Sequence, residues 1–286
     1  MKILITGHKG FVGKHFVEKY KSHEIVGVDI AEGNDARDFF KTNNDKFDLV
    51  IHLAAIVGGR ATIEGNPLFV ASDLAIDSDM VQWVLRTEPD RLVYFSSSAA
   101  YPTSYQYQDS GIKLVEDMIN LSDISMPDMT YGWSKLTGEY LCSFINNKTR
   151  VFIFRPFSGY GSDQSLDYPF PSFIQRAKED SGIFDIWGDG TQVRDWVHIY
   201  DVVEAVDAAL NMDIPGTYNI GTGVPTSFNQ LAEYVINEAK ISTKLNHLSS
   251  QPKGVMYRVA NTDKLNKFYT PKITIIDGIR MALNGE

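Results

Sequence analysis

Short apolar runs alternate with longer stretches whose apolar positions recur every three or four residues, the period of a helix with one buried face. Lys2 to Thr6 reads as a buried strand and Phe11 to Lys21 as the helix after it. Glu24 to Asp29, Asp48 to Ala55, Leu92 to Ser97 and Arg150 to Arg155 read as further strands, with helices over Asp73 to Arg86 and Tyr131 to Asn146. Apolar strands separated by helices predict a doubly wound parallel sheet of the α/β class. The texture changes after about Gly159. Ser162 to Pro171 is rich in Pro, Asp, Ser and aromatics and reads as a loop over a ligand. Helices are expected over Val197 to Leu210 and Ser227 to Lys240, with a strand near Tyr218 to Ile220. The expected division is a nucleotide-binding domain over residues 1–160, receiving a strand and helix from about 191–222, and a smaller substrate lobe over 161–286.

Composition narrows the function classes. A chain of 286 residues, 43% hydrophobic and 22% charged, is long enough to bury a sizeable core. Its net charge of −9 argues against nucleic acid or an acidic membrane as partner. An anionic ligand must then be held by a few placed Arg, Lys and helix N-termini. Cys142 is the single cysteine, which excludes an internal disulfide, and its apolar helical setting predicts a buried structural thiol. The longest apolar stretch, Leu49 to Val57, is too short to span a bilayer and is interrupted by His52. No leader pattern precedes the first strand, so a cytoplasmic location is expected. His8, His15, His23, His52, His198 and His247 lack metal-ligand spacing, and no metal is expected. Ser96 to Ser98 lacks the flanking glycines of a hydrolase nucleophile elbow.

Two motifs carry the chemistry. Gly7, Gly10 and Gly13 form a G-x-x-G-x-x-G turn between the first strand and its helix, where bare backbone admits a pyrophosphate to the helix N-terminus. Asp29, ending the second strand, is placed to accept the adenosine ribose hydroxyls and to repel a 2′-phosphate, favouring NAD over NADP. Lys9 pulls the other way, because a cation in this turn would compensate that phosphate. Downstream, Tyr131 and Lys135 lie four apart on one helical face. There the ammonium would lower the phenol's pKa and make it an acid or base beside a dinucleotide.

The ordered motifs resemble the extended short-chain dehydrogenase/reductases, the NAD-dependent nucleotide-sugar epimerase and dehydratase group. They are the glycine turn, His52-Leu53-Ala54-Ala55, Phe95-Ser96-Ser97-Ser98, Tyr131-x-x-x-Lys135, Arg155-Pro156-Phe157, and Trp187-Gly188-Asp189-Gly190 followed by Arg194-Asp195. Gly7-His8-Lys9-Gly10, Ala54 to Gly59 and Tyr101-Pro102 are most similar to the GDP-fucose synthase and GDP-mannose 3,5-epimerase branches. The resemblance implies a Rossmann sheet with a C-terminal substrate lobe, NAD as cofactor, a nucleotide-diphosphate sugar as substrate, and a homodimer. Leu136, Tyr140 and Phe144 would lie either in that dimer interface or against the sheet. It implies cofactor contacts at Gly7, Lys9, Gly10, Phe11, Val12, Gly13, Asp29, Asp35, Ala36, Leu53, Ala54, Ala55, Tyr131, Lys135 and Pro156. Ser97, Tyr131 and Lys135 would be catalytic, with Ser98 the alternative serine. Ser98, Ser158, Trp187, Arg194 and Arg258 would bind substrate, Arg194 on the diphosphate, and Lys253 is a further candidate.

Departures from the family pattern discriminate among its reactions. Ser98 and Ala99 stand where 4,6-dehydratases carry an Asp-Glu pair. Ala99 also replaces the cysteine of the 3,5-epimerases and fucose synthase, and their second acid/base, a His or Lys in the following loop, has no match here, where the nearest aligned residue is Tyr168. Asp73 and Ser158 occupy positions where Asn is usual. The hydride machinery remains, which favours C4 epimerisation through a transient 4-keto sugar. Reduction of a 4-keto sugar, or 4-dehydrogenation, would use the same three residues. A dinucleotide-binding protein without turnover is the third reading.

Overall fold

The structure, a computed structural model, describes residues 1–107, 111–251 and 253–286. Among these residues the largest sheet has six parallel strands. They are β1 (Lys2–Thr6), β2 (Glu24–Val28), β3 (Leu49–His52), β4 (Arg91–Phe95), β5 (Arg150–Pro156) and, after β6 (Ser158–Tyr160), β7 (Ile183–Trp187) and β8 (Val193–His198), the edge strand β9 (Gly216–Ile220). Their order is β2-β1-β3-β4-β5-β9. The chain runs outward in opposite directions from β1, so the crevice at the carboxyl ends of β1 and β3 is the switch point of a Rossmann sheet. Pairing is in register, with Ile5 beside Ile51, Ile51 beside Val93, and Val93 beside Phe152. That ladder faces α1 (Phe11–Lys19).

Side chains alternate across the sheet as a strand requires. Ile3 and Ile5 enter the core under α1 and α8 (Ile199–Asn211), whereas Leu4 and Val50 enter the one under α2 (Ala36–Thr42) and α5 (Asp73–Thr87). Between α2 and α5 lie two short helices, α3 (Arg60–Gly65) and α4 (Pro67–Val70). Helix α6 (Met129–Cys142) packs beside α5, and Cys142 is buried at its end. A third core, built on Phe170, Phe173, Trp196 and Phe228, gathers α7 (Pro169–Glu179), α9 (Phe228–Ala239) and α10 (Ile275–Asn284). It is roofed by β8 with its neighbours β10 (Pro225–Ser227) and β12 (Tyr257–Arg258), and by β7 with β11 (Lys244–Leu248).

Several boundaries differ from the sequence reading. Val197 and His198 end β8 instead of opening a helix, and the His198 side chain caps α8 by accepting from Tyr200 N–H at 3.2 Å. The segment from Ser162 is a loop only as far as Tyr168, because Pro169 starts α7 at a position where its missing N–H costs nothing. The helix carrying Tyr131 stops at Cys142, not Asn146. Leu136 is buried, while Tyr140 and Phe144 are exposed and meet edge-on at 5.0 Å. Among the described residues, no helix is long and apolar enough to cross a membrane.

Candidate active site

A cavity of about 1120 Å³ opens at the switch point and runs across to β8 and β12. Every residue singled out above as a catalytic, cofactor or substrate contact lines it. At its floor Gly7 adopts φ +70°, and a Cβ there would stand 2.9 Å from the backbone of Leu53 and Ala54. A Cβ on Gly13 would collide with the Gly7 carbonyl. Gly10, the N-cap of α1, offers no capping side chain, so the first N–H groups of that helix face the cavity without an internal acceptor. This bare cradle fits a dinucleotide pyrophosphate.

The ribose end fits NAD as well. The Asp29 carboxylate accepts Lys9 N–H at 2.8 Å and Ala31 N–H at 2.9 Å, which fixes it at the tip of β2. Glu32 takes the Lys9 ammonium at 2.8 Å and approaches His8 Nε2 at 3.3 Å. The cation that favoured a 2′-phosphate is therefore already paired. Asp35 N-caps α2 and forks onto Arg37, so its carboxylate is committed within the chain.

Helix α6 approaches the sheet closely because Gly132 and Gly138 have no side chain; a Cβ on either would collide with the Ala99 carbonyl or the Tyr94 ring. That approach sets Tyr131 against the three serines after β4. Ser96 is buried and donates to Glu139, which also holds Arg155 at 2.6 and 2.8 Å, a structural pair. Ser97 Oγ accepts Ala99 N–H at 3.1 Å, and its hydroxyl stands near enough to the Tyr131 phenol to favour the ionised form. Ser98 opens the short turn that follows and is buried in the cavity wall. Of the three, Ser97 makes the contact with tyrosine.

Lys135 Nζ lies 5.8 Å from the centre of the Tyr131 ring and 5.5 Å from that of Tyr94. Burial works against its ammonium, but Asp77, Tyr131 and Asp73 outweigh burial and raise its pKa. The Tyr131 phenol departs from the sequence expectation. Burial pushes its pKa up, and the pull of Lys135 and Ser97 in the other direction does not reverse the shift. The lysine moderates the tyrosine without making its pKa low.

Asp77 belongs to a buried chain of hydrogen bonds. Thr6 Oγ1 accepts Leu53 N–H and Ala54 N–H, so its own hydrogen goes to His52 Nδ1 at 2.9 Å. His52 Nε2 then donates to Asp77 at 3.1 Å, and Tyr94 Oη donates at 2.6 Å. His52 thus anchors the counter-charge of Lys135 as well as packing in its strand. Asp73 accepts Ile56 N–H at 2.6 Å through one oxygen. Its other oxygen is buried without a partner, and burial raises its pKa to about 6.

At the far end Arg194 and Arg258 are neighbours in the β8–β12 ladder. Adjacent like charges are unfavourable unless an anion joins them. Among the described residues Arg194 donates to the Val193 carbonyl alone, at 2.8 Å, and it lies 5.7 Å from the Phe228 ring. Burial and the nearby Arg258 push its pKa down to about 9. Two residues that the sequence reading missed complete this cluster. Asp128 accepts Arg258 at 2.7 Å and Arg60 at 3.0 Å, and Arg60 also holds Glu64. Trp187 and Ser158 line the cavity between these ends, and Lys253 is paired with Asp189 at 2.6 Å. Tyr168 is half-buried in the wall near Tyr131, and desolvation raises its pKa.

A doubly wound sheet with a glycine cradle, a Ser–Tyr–Lys group and an arginine cluster around one cavity has the layout of a dinucleotide-dependent enzyme. The sequence profile of the NAD dependent epimerase/dehydratase family matches residues 3–221, and the chain belongs to that family. Among curated relatives, it is 26% identical to GDP-mannose 3,5-epimerase of Arabidopsis thaliana, over 99% of this chain and 81% of that protein. It is 25% identical to GDP-L-colitose synthase of Yersinia pseudotuberculosis, over 98% and 96%. The crystal structure of UDP-glucuronic acid 4-epimerase from Bacillus cereus, in complex with UDP-glucuronic acid and NAD, superposes with a TM-score of 0.82 at 26% identity, covering 99% of this chain and 98% of that one.

Proposed function

We propose that this chain is a nucleotide-sugar epimerase inverting C4 of a nucleoside-diphosphate sugar. The carrying observation is the isolation of the redox group. Ser97, Tyr131 and Lys135 face the glycine cradle, and Ala99 stands where related reactions need a further acid or base. In this reading Tyr131 takes the proton of the sugar 4-hydroxyl while Ser97 donates a hydrogen bond to the developing oxyanion. Lys135 holds the nicotinamide ribose and steadies the phenolate charge. The cradle of Gly7, Gly10 and Gly13 would hold NAD, which would supply a reversible hydride acceptor for C4. The 4-keto sugar turns over within the cavity, and Tyr131 gives the proton back once the opposite face receives the hydride. Arg194 and Arg258 hold the diphosphate throughout, so the intermediate stays in the site.

The roles assigned to the remaining cavity residues, the two-lobe division at about residue 160, and a cytoplasmic location belong to the same proposal. So does a homodimer, supported by the exposed apolar side chains Leu68, Phe69, Tyr140 and Phe144 on the α4 and α6 side of the molecule. The second reading, reduction of a 4-keto sugar, is supported by the likeness to a GDP-L-colitose synthase. Purified protein without added cofactor separates the two. Conversion of a sugar nucleotide to an isomer of identical mass supports epimerisation. Turnover only of a keto sugar with added NADH or NADPH rejects it.

A further inference from the structure

Asp128 touches three parts of the site. Its N–H donates to the Ala99 carbonyl at 2.9 Å, in the turn that follows Ser97, and its own carbonyl accepts Gly132 N–H at 3.0 Å in the first turn of the tyrosine helix. Its side chain ignores the capping position it occupies and reaches across the cavity instead. There it takes Arg60, the first residue of α3, at 3.0 and 3.1 Å, and Arg258, from β12, at 2.7 Å. Asp128 is buried, and the two guanidiniums hold its carboxyl below the ordinary aspartate range against the cost of burial. The next residue, Met129, sits in the left-handed region at φ +59°, two positions before Tyr131. A non-glycine residue holds that conformation only where its surroundings impose it. Arg194, the third guanidinium, forms no ion pair with a carboxylate among the described residues.

We infer that Asp128 is a positioning residue which competes with the substrate's diphosphate for the edges of Arg258 and Arg60, and so links anion binding to the placement of Tyr131. This rests on the reading of the arginine cluster as a diphosphate site. The charges explain the device. A carboxylate set between the arginines lowers their grip on an anion, and a ligand that claims Arg258 must loosen the Asp128 contact. Because the Asp128 backbone is bonded to both Ala99 and Gly132, any shift passes directly to Ser97 and Tyr131. Anion binding at one end of the cavity then adjusts proton transfer at the other.

The test uses inorganic pyrophosphate as probe and the full chain as Asp128→Asn, Asp128→Ala and Asp128→Glu. Calorimetry of the wild type and Asp128→Asn should show pyrophosphate bound about tenfold tighter without the carboxylate, with Asp128→Glu close to wild type. Hydrogen exchange should show pyrophosphate altering protection of the wild-type segments 96–100 and 128–134, and leaving them unaltered in Asp128→Asn. A residue with a merely structural role would not tighten anion binding when removed. Unchanged or weaker pyrophosphate binding in Asp128→Asn overturns the inference, as does an exchange response identical to wild type. If Asp128→Ala does not fold, the Asn and Glu variants carry both readouts. Failure of the epimerase reading looks different: no sugar nucleotide is turned over by the wild type, while both pyrophosphate results stand.

Discussion

The ammonium of Lys135 stands 5.8 Å from the centre of the Tyr131 ring, and its counter-charges, Asp77 and Asp73, come from α5 on the far side of the tyrosine helix. The lysine is therefore kept charged by buried carboxylates that do not line the cavity. Tyr131 is held in a dry site where only Lys135 and Ser97 favour its ionised form.

Removing the phenol tests its role as proton carrier. Tyr131→Phe should lower kcat by about 10²–10⁴-fold, the contribution of a positioned acid or base. KM and thermal midpoint should stay near wild type, because the ring that lines the cavity is kept and only its hydroxyl is lost. Steady-state kinetics with a sugar nucleotide, beside a melting curve, check both halves.

Asp73 ties stability to pH. Its carboxyl is pushed up to about 6 in the folded chain by burial, above the ordinary aspartate value of 3.8. The unfolded chain therefore gives up this proton first as pH rises. The stability that Asp73 contributes is complete below about 3.8 and is lost as pH passes about 6. In Asp73→Asn that loss should disappear, and the carboxamide retains an oxygen for Ile56 N–H. The thermal midpoint of Asp73→Asn relative to wild type should thus be higher at pH 8 than at pH 4.5. An equal difference at the two values contradicts the assignment.

Arg194 should govern substrate capture more than turnover. Loss of a charge-assisted contact to a diphosphate is worth about 1.5–3 kcal/mol, so Arg194→Ala should raise KM by roughly 10- to 150-fold. Arg194→Lys should recover only part of this, since an ammonium lacks the fork that spans two phosphate oxygens. Its removal also relieves the repulsion with Arg258, so folding stability should hold or rise.

Glu139 and Arg155 make a buried pair beneath the serine turn. Breaking it from one side leaves an uncompensated charge, and Glu139→Gln should cost about 3–5 kcal/mol of stability in chemical denaturation. The carboxamide keeps the size of the side chain, so a loss of that order reports charge and not packing.

Much of this site could be read along the chain because its parts are local. The glycine turn is seven consecutive residues between a strand and a helix, and Tyr131 and Lys135 share one helical face by spacing alone. Residues that act across the cavity left no such signal. Arg60, Asp128 and Arg258 are joined over separations of 68 and 130 residues, and nothing in their neighbourhoods announces it. Asp77 is equally hidden, as one acid among several on α5 until folding places it between His52 and Tyr94. The start of α8 was misplaced because Val197 and His198 suit a buried strand end as well as a helix. Helix α7 was obscured by prolines that favour its first turn. The tyrosine's raised pKa was out of reach, since it depends on how dry the finished site is.

The central claim, hydride transfer at C4 with no acid–base chemistry at neighbouring carbons, is tested most directly by turnover in D2O without added cofactor, read by proton NMR on a panel of UDP- and GDP-sugars. The account predicts a product of unchanged mass, inverted at C4, with every carbon-bound hydrogen retained. Deuterium at C3 or C5, or a strict need for added NADH or NADPH, would contradict it.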